Sequence, residues 1–273
     1  MFKIGINSNN ESGKNDTQIL KNIKQAGFEN IMLSFKSSEV ENSIKTANEL
    51  GLKVQYFHLD GHFSDYLWTK GEMAIKTVNK LISQIELCAK YNIPIAIFHP
   101  SYGTPSSKPF RPNIEGIKNI TKILEVAKKH NVKIALENLD RYSCKLLNYL
   151  LKNIKDENLG FCYDCGHHHL YNPKDDLLKK YGNRLFALHL HDNLMDWSYG
   201  YDHSRDLHML PFDGTIDFDK VCHKLKKINY QGIIMLEVHK VSFPTPMHYE
   251  KLSDTDFLNE AKTRANRLLD ILN

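Results

Sequence analysis

One pattern recurs from end to end of the 273-residue chain: a short apolar strand, a turn, then an amphipathic helix. Eight stretches read as strands, at residues 2–7, 30–35, 53–59, 94–100, 133–139, 159–166, 185–192 and 233–239. Each is rich in Val, Ile, Leu and Phe and is bounded by Gly, Pro, Asn or Lys. Segments such as TQILKNIKQAG, VENSIKTANELG and IEGIKNITKILEVAKKHN lie between them, with apolar residues at i, i+3, i+4 and i+7. Several stop at Gly27, Gly51 or Asn131, residue types that tolerate a left-handed backbone. Near-continuous apolar strands imply a parallel sheet covered on both faces. Right-handed crossovers then leave an open doubly wound sheet or a closed barrel. No G-x-G-x-x-G follows the first strand, and the eighth strand is followed by the helical FLNEAKTRANRLLDIL. The reading is therefore α/β, a single (β/α)8 TIM barrel occupying residues 1–273 as one domain, a fold that typically runs to about 250 residues.

A formal net charge of +4 shows no clustered basic stripe, so nucleic acid is not expected as a partner. The five cysteines, Cys88, Cys144, Cys162, Cys165 and Cys222, are odd in number and irregularly spaced, which argues for a reducing compartment. Cys162 and Cys165 form a C-x-x-C, but within an apparent strand their side chains point to opposite faces, and no second such pair completes a zinc site. The opening MFKIGIN is not a secretory signal, and no apolar run approaches the roughly 20 residues that span a bilayer. A cytoplasmic location is expected.

The polar residues concentrate at strand ends. Strand three ends in YFHL, four in IFHP, five in ALENLD, six in YDCGHHH, seven in ALHLHDN and eight in LEVHK. In a barrel these tips share one bowl at the C-terminal mouth, where loops carry function. His58 and His99 taken singly read as hydrogen-bonded rim histidines, and Glu137 or Glu237 as a partner of some Lys or Arg. Asp164 and His167 form a D-x-x-H turn that brings both toward the axis, with His168 and His169 as bystanders. Alternation places His189 and His191 on one face and does not choose between them. Together the set points to metal. Crowded carboxylates raise one another's pKa, and divalent cations relieve this, with mixed His and carboxylate ligands suiting Zn, Mn or Co.

At these motifs the chain resembles the xylose-isomerase-like barrel superfamily, in particular its sugar-phosphate isomerase/epimerase group. The resemblance covers nearly the whole chain and is most distinctive from ALENLD to LEVHK. It implies a metal site of Glu137, Asp164, His189 and Glu237, with the family's H-x-x-D pattern selecting His189 and placing Asp192 after it. The related type IV apurinic endonucleases hold three zinc ions, and their further ligands fall on His58, His99, His167, Asp206 and His208. The segment after the D-x-H at 206–208 resembles their H-x-x-x-G-x-G, with Asp213 standing where the first Gly would be. Asp202 and His203 are a nearby decoy with poorer spacing. One to three divalent ions are thus implied. Against DNA repair, LDGHFSDYLW after His58 does not resemble the endonucleases' DNA-inserting loop, and NLDRYSCK after Glu137 lacks their Gly-rich sequence.

The expected function is metal-dependent isomerisation or epimerisation of a sugar or sugar phosphate. Glu137 and Glu237 would exchange protons beside the carbonyl, with His167 assisting and Asp192 orienting substrate. Trp68, Phe110, Trp197, Tyr199 and Phe212 are candidates for an aromatic wall. Lys108, Arg111, Arg141 and Arg205 are candidates for phosphate capture. The alternatives are a multinuclear-zinc phosphoesterase, a metal-dependent lyase, and a non-catalytic barrel that binds a sugar or a metal. The resemblance also allows a homodimer.

Overall fold

The computed structural model describes residues 2–35, 39–102, 111–195, 206–241 and 245–273. The strands are β1 (Lys3–Asn7), β2 (Asn30–Ser34), β3 (Lys53–His58), β4 (Ile95–Phe98), β5 (Lys133–Glu137), β6 (Leu159–Asp164), β7 (Leu185–His189) and β8 (Ile233–Leu236). Between and after them run α1 (Asp16–Gln25), α2 (Val40–Glu49), α3 (Glu72–Lys90), α4 (Ile114–Lys129), α5 (Arg141–Asn153), α6 (Cys165–Tyr171), α7 (Leu177–Tyr181), α8 (Phe218–Lys227) and α9 (Asp254–Leu272). Every strand pairing is parallel, in the order β7-β6-β5-β4-β3-β2-β1-β8. The seam between the two ends is joined just past β7. Leu190 N–H donates to Met235 O at 2.9 Å, and Leu190 O accepts from Glu237 N–H at 3.1 Å. Eight parallel strands thus form a nearly closed barrel with helices around it.

The elements begin and end where local chemistry dictates. Asn15, Asn113, Asp140, Asp217 and Ser253 cap the N-termini of α1, α4, α5, α8 and α9 by accepting an orphan backbone N–H. Gly27, Gly51 and Asn131 follow α1, α2 and α4 with φ of +80°, +68° and +56°, the left-handed geometry that closes a helix. The strand expected at 159–166 stops earlier, at Asp164. Asp164 there turns into a cap for α6, so Cys165 opens that helix and donates its thiol to His191 O. All five cysteines are free and buried.

Two apolar layers make the core. The larger lies between the outer faces of the strands and the helices. The smaller plugs the barrel, with Met32, Tyr56, Ile97, Ala135, Cys162, Ala187 and Met235 pointing inward. On β1 the plug position is Gly5, where a Cβ would stand 2.7 Å from Met235 Cε, so the methionine side chain occupies that space. Side chains alternate along a strand, so the next inward position lies two residues on. Reading two residues past each plug residue gives Asn7, Ser34, His58, His99, Glu137, Asp164, His189 and Glu237. The barrel therefore changes within one layer from wholly apolar to wholly polar. Among the described residues no helix is long and apolar enough to cross a membrane.

Candidate metal and active site

Glu137 is the hub of the polar layer. It is 1% exposed, and its carboxylate meets His189 Nδ1 at 2.9 Å, His58 Nε2 at 3.0 Å, His167 Nδ1 at 3.5 Å and His99 Nε2 at 3.6 Å. Glu237 approaches the same His189 Nδ1 from beyond β8, at 3.1 Å. Asp164, at the end of β6, caps α6 through His167 N–H at 2.7 Å and faces His191 Nε2 at 3.0 and 3.1 Å. Asp206 meets His167 Nε2 at 3.0 Å and His208 Nε2 at 3.3 Å. Among the described residues three groups of donor atoms result, each drawn within 4.8 Å: His58, His99 and Glu137; Glu137, Asp164, His189 and Glu237; and His167, His191, Asp206 and His208. The nine residues implied by resemblance all lie in these groups, and Glu137 belongs to two of them.

The electrostatics follow from burying four carboxylates together. Burial pushes Glu137 and Glu237 up, but His189 beside both outweighs it and holds them well below the usual carboxylate range. Burial likewise opposes ionisation of Asp206, and His167 and His208 bring it well down. Burial favours the neutral ring at His167 and His189. Asp164 and Asp206 outweigh this at His167, and Cys162 and Glu137 at His189, so both rise well above the ordinary histidine value. His208, also buried, is raised to about 9 by Asp206. His99 goes the other way, to about 4, because burial dominates the attraction of Glu137.

The residues fit a divalent ion. His58 Nδ1–H donates to Leu59 O, His167 Nδ1–H to Asn138 O and His208 Nδ1–H to Glu237 O, at 3.1, 3.0 and 2.9 Å. This is the outer-shell pattern that orients metal-ligating histidines. It turns each Nε2 toward a carboxylate oxygen, an arrangement that needs a proton or a cation between the two atoms. Among the described residues, His99 Nδ1 and His191 Nδ1 are buried without a hydrogen-bond partner.

Other expected site residues lie elsewhere. Trp68 is 3% exposed, packs where a Cβ on Gly116 would fall 2.3 Å from its ring, and donates Nε1–H to Pro100 O at 2.8 Å. It pins α4 against the turn after β3 rather than facing the bowl. Asp192, expected to contact substrate, is fully buried, and its carboxylate accepts the backbone N–H groups of Asn193, Phe212, Gly214 and Ile216 at 2.9–3.0 Å. Its oxygens are committed to shaping the segment that carries Asp206 and His208. Arg141 donates Nε–H to Tyr171 O and is exposed. The Phe212 ring lies under the Arg267 guanidinium, 3.8 Å away. The left-handed position after His208 is Phe212, with φ +76°, one residue before the Asp213 compared above with a family glycine. Counted from His208, H-x-x-x-G-x-G places its first Gly at 212. Arg205, Phe110, Lys108, Trp197, Tyr199, Asp202 and His203 lie outside the described residues.

Three asparagines not singled out by the sequence also shape the site, and His191, which alternation left level with His189, joins the third group. Asn7 closes β1 to the residues past β8, exchanging two hydrogen bonds with Val238. Asn138 does the same between β5 and β6 with the backbone of Asp164, at 2.9 and 3.0 Å. Asn193 donates to Asp206 and accepts from Leu207 N–H. Each of the last two stands next to a site residue, in the pairs Glu137-Asn138 and Asp192-Asn193, which is the signal that could have found them.

The fold and the site define a TIM barrel with a carboxylate–histidine bowl at its C-terminal mouth. The chain belongs to the family described as xylose isomerase-like TIM barrel, whose model matches residues 20–261. An uncharacterized protein of Sinorhizobium fredii is 33% identical over 149 residues, covering 53% of this chain and 43% of that protein. An inosose isomerase of Halalkalibacterium halodurans is 28% identical over 149 residues, covering 52% and 50%. The chain thus spans about half the length of the curated relatives it matches. Among solved structures, a D-tagatose 3-epimerase-like protein superposes with a TM-score of 0.77 at 21% identity, covering 100% of this chain and 98% of that one. D-psicose 3-epimerase of Clostridium cellulolyticum H10, solved with D-tagatose, superposes with a TM-score of 0.76 at 14% identity over 100% of both chains.

Proposed function

We propose that this chain is a metal-dependent isomerase or epimerase acting on a small polyhydroxy carbonyl compound, a sugar or sugar phosphate. The observation that carries the reading is the convergence of Glu137 and Glu237, from β5 and from beyond β8, on one histidine nitrogen in the bowl. Similarity to an inosose isomerase and to sugar 3-epimerases supports the same class. A divalent ion of the zinc, manganese or cobalt type, held by Glu137, Asp164, His189 and Glu237, would supply the positive charge that polarises the substrate's carbonyl. One glutamate takes the proton from the carbon next to the carbonyl; the C–H electron pair becomes the new C=C bond and the carbonyl π pair moves onto its oxygen, giving an enediolate. Return of a proton to the opposite face, from the other glutamate once it has taken one from solvent, inverts that carbon. Return to the former carbonyl carbon, with the neighbouring hydroxyl proton passing to the former carbonyl oxygen, moves the carbonyl instead. His167 is held beside these glutamates, between Asn138 O and Asp206.

The test is exchange. Metal-loaded protein is incubated in D2O with free and phosphorylated ketoses, aldoses and inososes, and deuterium at the carbon beside the carbonyl is followed by NMR. Exchange that disappears in Glu137→Gln supports the proposal. A second reading, phosphoester hydrolysis by a multinuclear centre, is favoured by one observation, the sharing of Glu137 between two ligand groups. Cleavage of phosphorylated sugars or abasic DNA without any exchange would establish it in place of the first. Tight sugar binding with neither activity would identify a non-catalytic binding barrel.

A further inference from the structure

His191 stands apart from the ligands implied by the family resemblance, yet the fold has made room for it. A Cβ on Gly166 would lie 2.0 Å from His191 Cε1 and 2.6 Å from each ring nitrogen, so only glycine at 166 leaves the imidazole its place. The residue is wholly buried, its backbone O accepts the Cys165 thiol, its Nε2 meets Asp164 at 3.0 Å, and its Nδ1 has no hydrogen-bond partner among the described residues. It stacks on His208 with ring centroids 3.9 Å apart and 13° between planes. Its donor atom lies within 4.8 Å of those of His167, Asp206 and His208.

These facts make the two four-residue groups chemically unlike. Glu137, Asp164, His189 and Glu237 offer three carboxylates and one imidazole, whereas His167, His191, Asp206 and His208 offer three imidazoles and one carboxylate. Imidazole suits zinc, and carboxylate oxygen suits manganese or magnesium. Four protein donors also close a tetrahedral zinc, while three leave a position for water or substrate.

The geometry points to His191 as the fourth ligand of a nitrogen-rich, zinc-selective closed site with His167, Asp206 and His208, distinct from an oxygen-rich site around Glu137 that exchanges its metal. The inference rests on the metal dependence proposed above, not on the reaction. Its consequence is a centre that carries two different metals, one retained to hold the 206–216 segment and one exchangeable at the chemistry.

The experiment is a metal-selectivity titration of the full chain. Protein stripped by chelator is loaded with zinc and manganese together, dialysed, and assayed for retained zinc by elemental analysis and for manganese by EPR. The wild type is expected to keep one zinc and to bind manganese independently of it. His191→Asn is expected to weaken that zinc by at least about 100-fold, more than the roughly 10–100-fold that loss of an outer-shell partner costs, and to weaken manganese, whose ligand Asp164 His191 only supports, by less than that. Unchanged zinc retention in His191→Asn overturns the assignment, as does a retained zinc that abolishes manganese binding. Cobalt(II) in the unmutated protein gives a check that needs no variant. The retained equivalent should show the intense visible bands of a four-coordinate ion, and weak bands of higher coordination overturn a closed site. A wild type that binds no metal at all would instead remove the proposed function.

Discussion

Asp192 and Gly214 are locked together: the Gly214 N–H donates to Asp192 Oδ2 at 2.9 Å, and a Cβ at 214 would fall 2.3 Å from Asp192 Oδ1. Asp192 is thereby the post around which residues 206–216 are wound, and that segment delivers Asp206 and His208 to the bowl.

Asp192→Asn should therefore act on structure and metal content rather than on substrate affinity directly. An amide offers one acceptor oxygen where the carboxylate offers two, so two of the four N–H groups lose their partner. Losing them should cost roughly 2–4 kcal/mol of stability. Denaturant unfolding measures that loss, and elemental analysis should show one metal equivalent fewer. A variant with wild-type stability would contradict the role.

Glu137→Gln removes the charge that faces four histidines. Under the proposed function, turnover should fall at least about 100-fold, the lower end of general acid–base contributions. Metal affinity should fall as well, because two ligand groups share this residue. Steady-state kinetics at saturating metal separate the two effects. Full turnover in this variant would remove Glu137 from proton transfer.

Metal retention should decline as the solution is acidified, since protons compete for the same imidazoles and carboxylates. In the metal-free protein the sign for His208 reverses with alkali. Its folded pKa, about 9, lies above the unfolded histidine value of about 6.5, so its contribution is complete below the lower value. That contribution is lost as pH rises through about 9. Melting temperature measured against pH, with and without metal, should show an alkaline loss that bound metal suppresses. Identical profiles would refute the coupling.

Trp68→Phe should leave the KM for any substrate unchanged, because the indole lies under α4 rather than in the bowl. Loss of the Nε1–H bond to Pro100 O should lower stability by about 1 kcal/mol. A raised KM with unaltered stability would return Trp68 to the substrate wall.

Much of the site was legible because strand geometry is simple. Side chains alternate, so a polar residue two positions past an apolar plug residue must stand at the mouth, and His58, His99, Glu137, Asp164, His189 and Glu237 could be placed by counting. The segment between β7 and α8 was harder to read. Asp206 and His208 came from resemblance, and Asp192 was given to substrate because its burial beneath four backbone amides leaves no trace in residue order. Trp68 was misread because an aromatic after a strand has the same appearance whether it lines a pocket or pins a helix. His191 was legible as a residue facing the bowl but not as a donor in the third group, since that depends on the space at Gly166.

The sequence by itself determined the alternation of strands and helices, the closing count of eight, and the ring of histidines and carboxylates at one end. Those follow from local periodicity, which each segment carries in its own residues. Only the tertiary structure decided which donors stand together, that Glu137 belongs to two groups, and that Asp192 and Trp68 turn inward to hold the frame. Those outcomes depend on distances between residues far apart in the chain, set when the barrel closes and its loops pack.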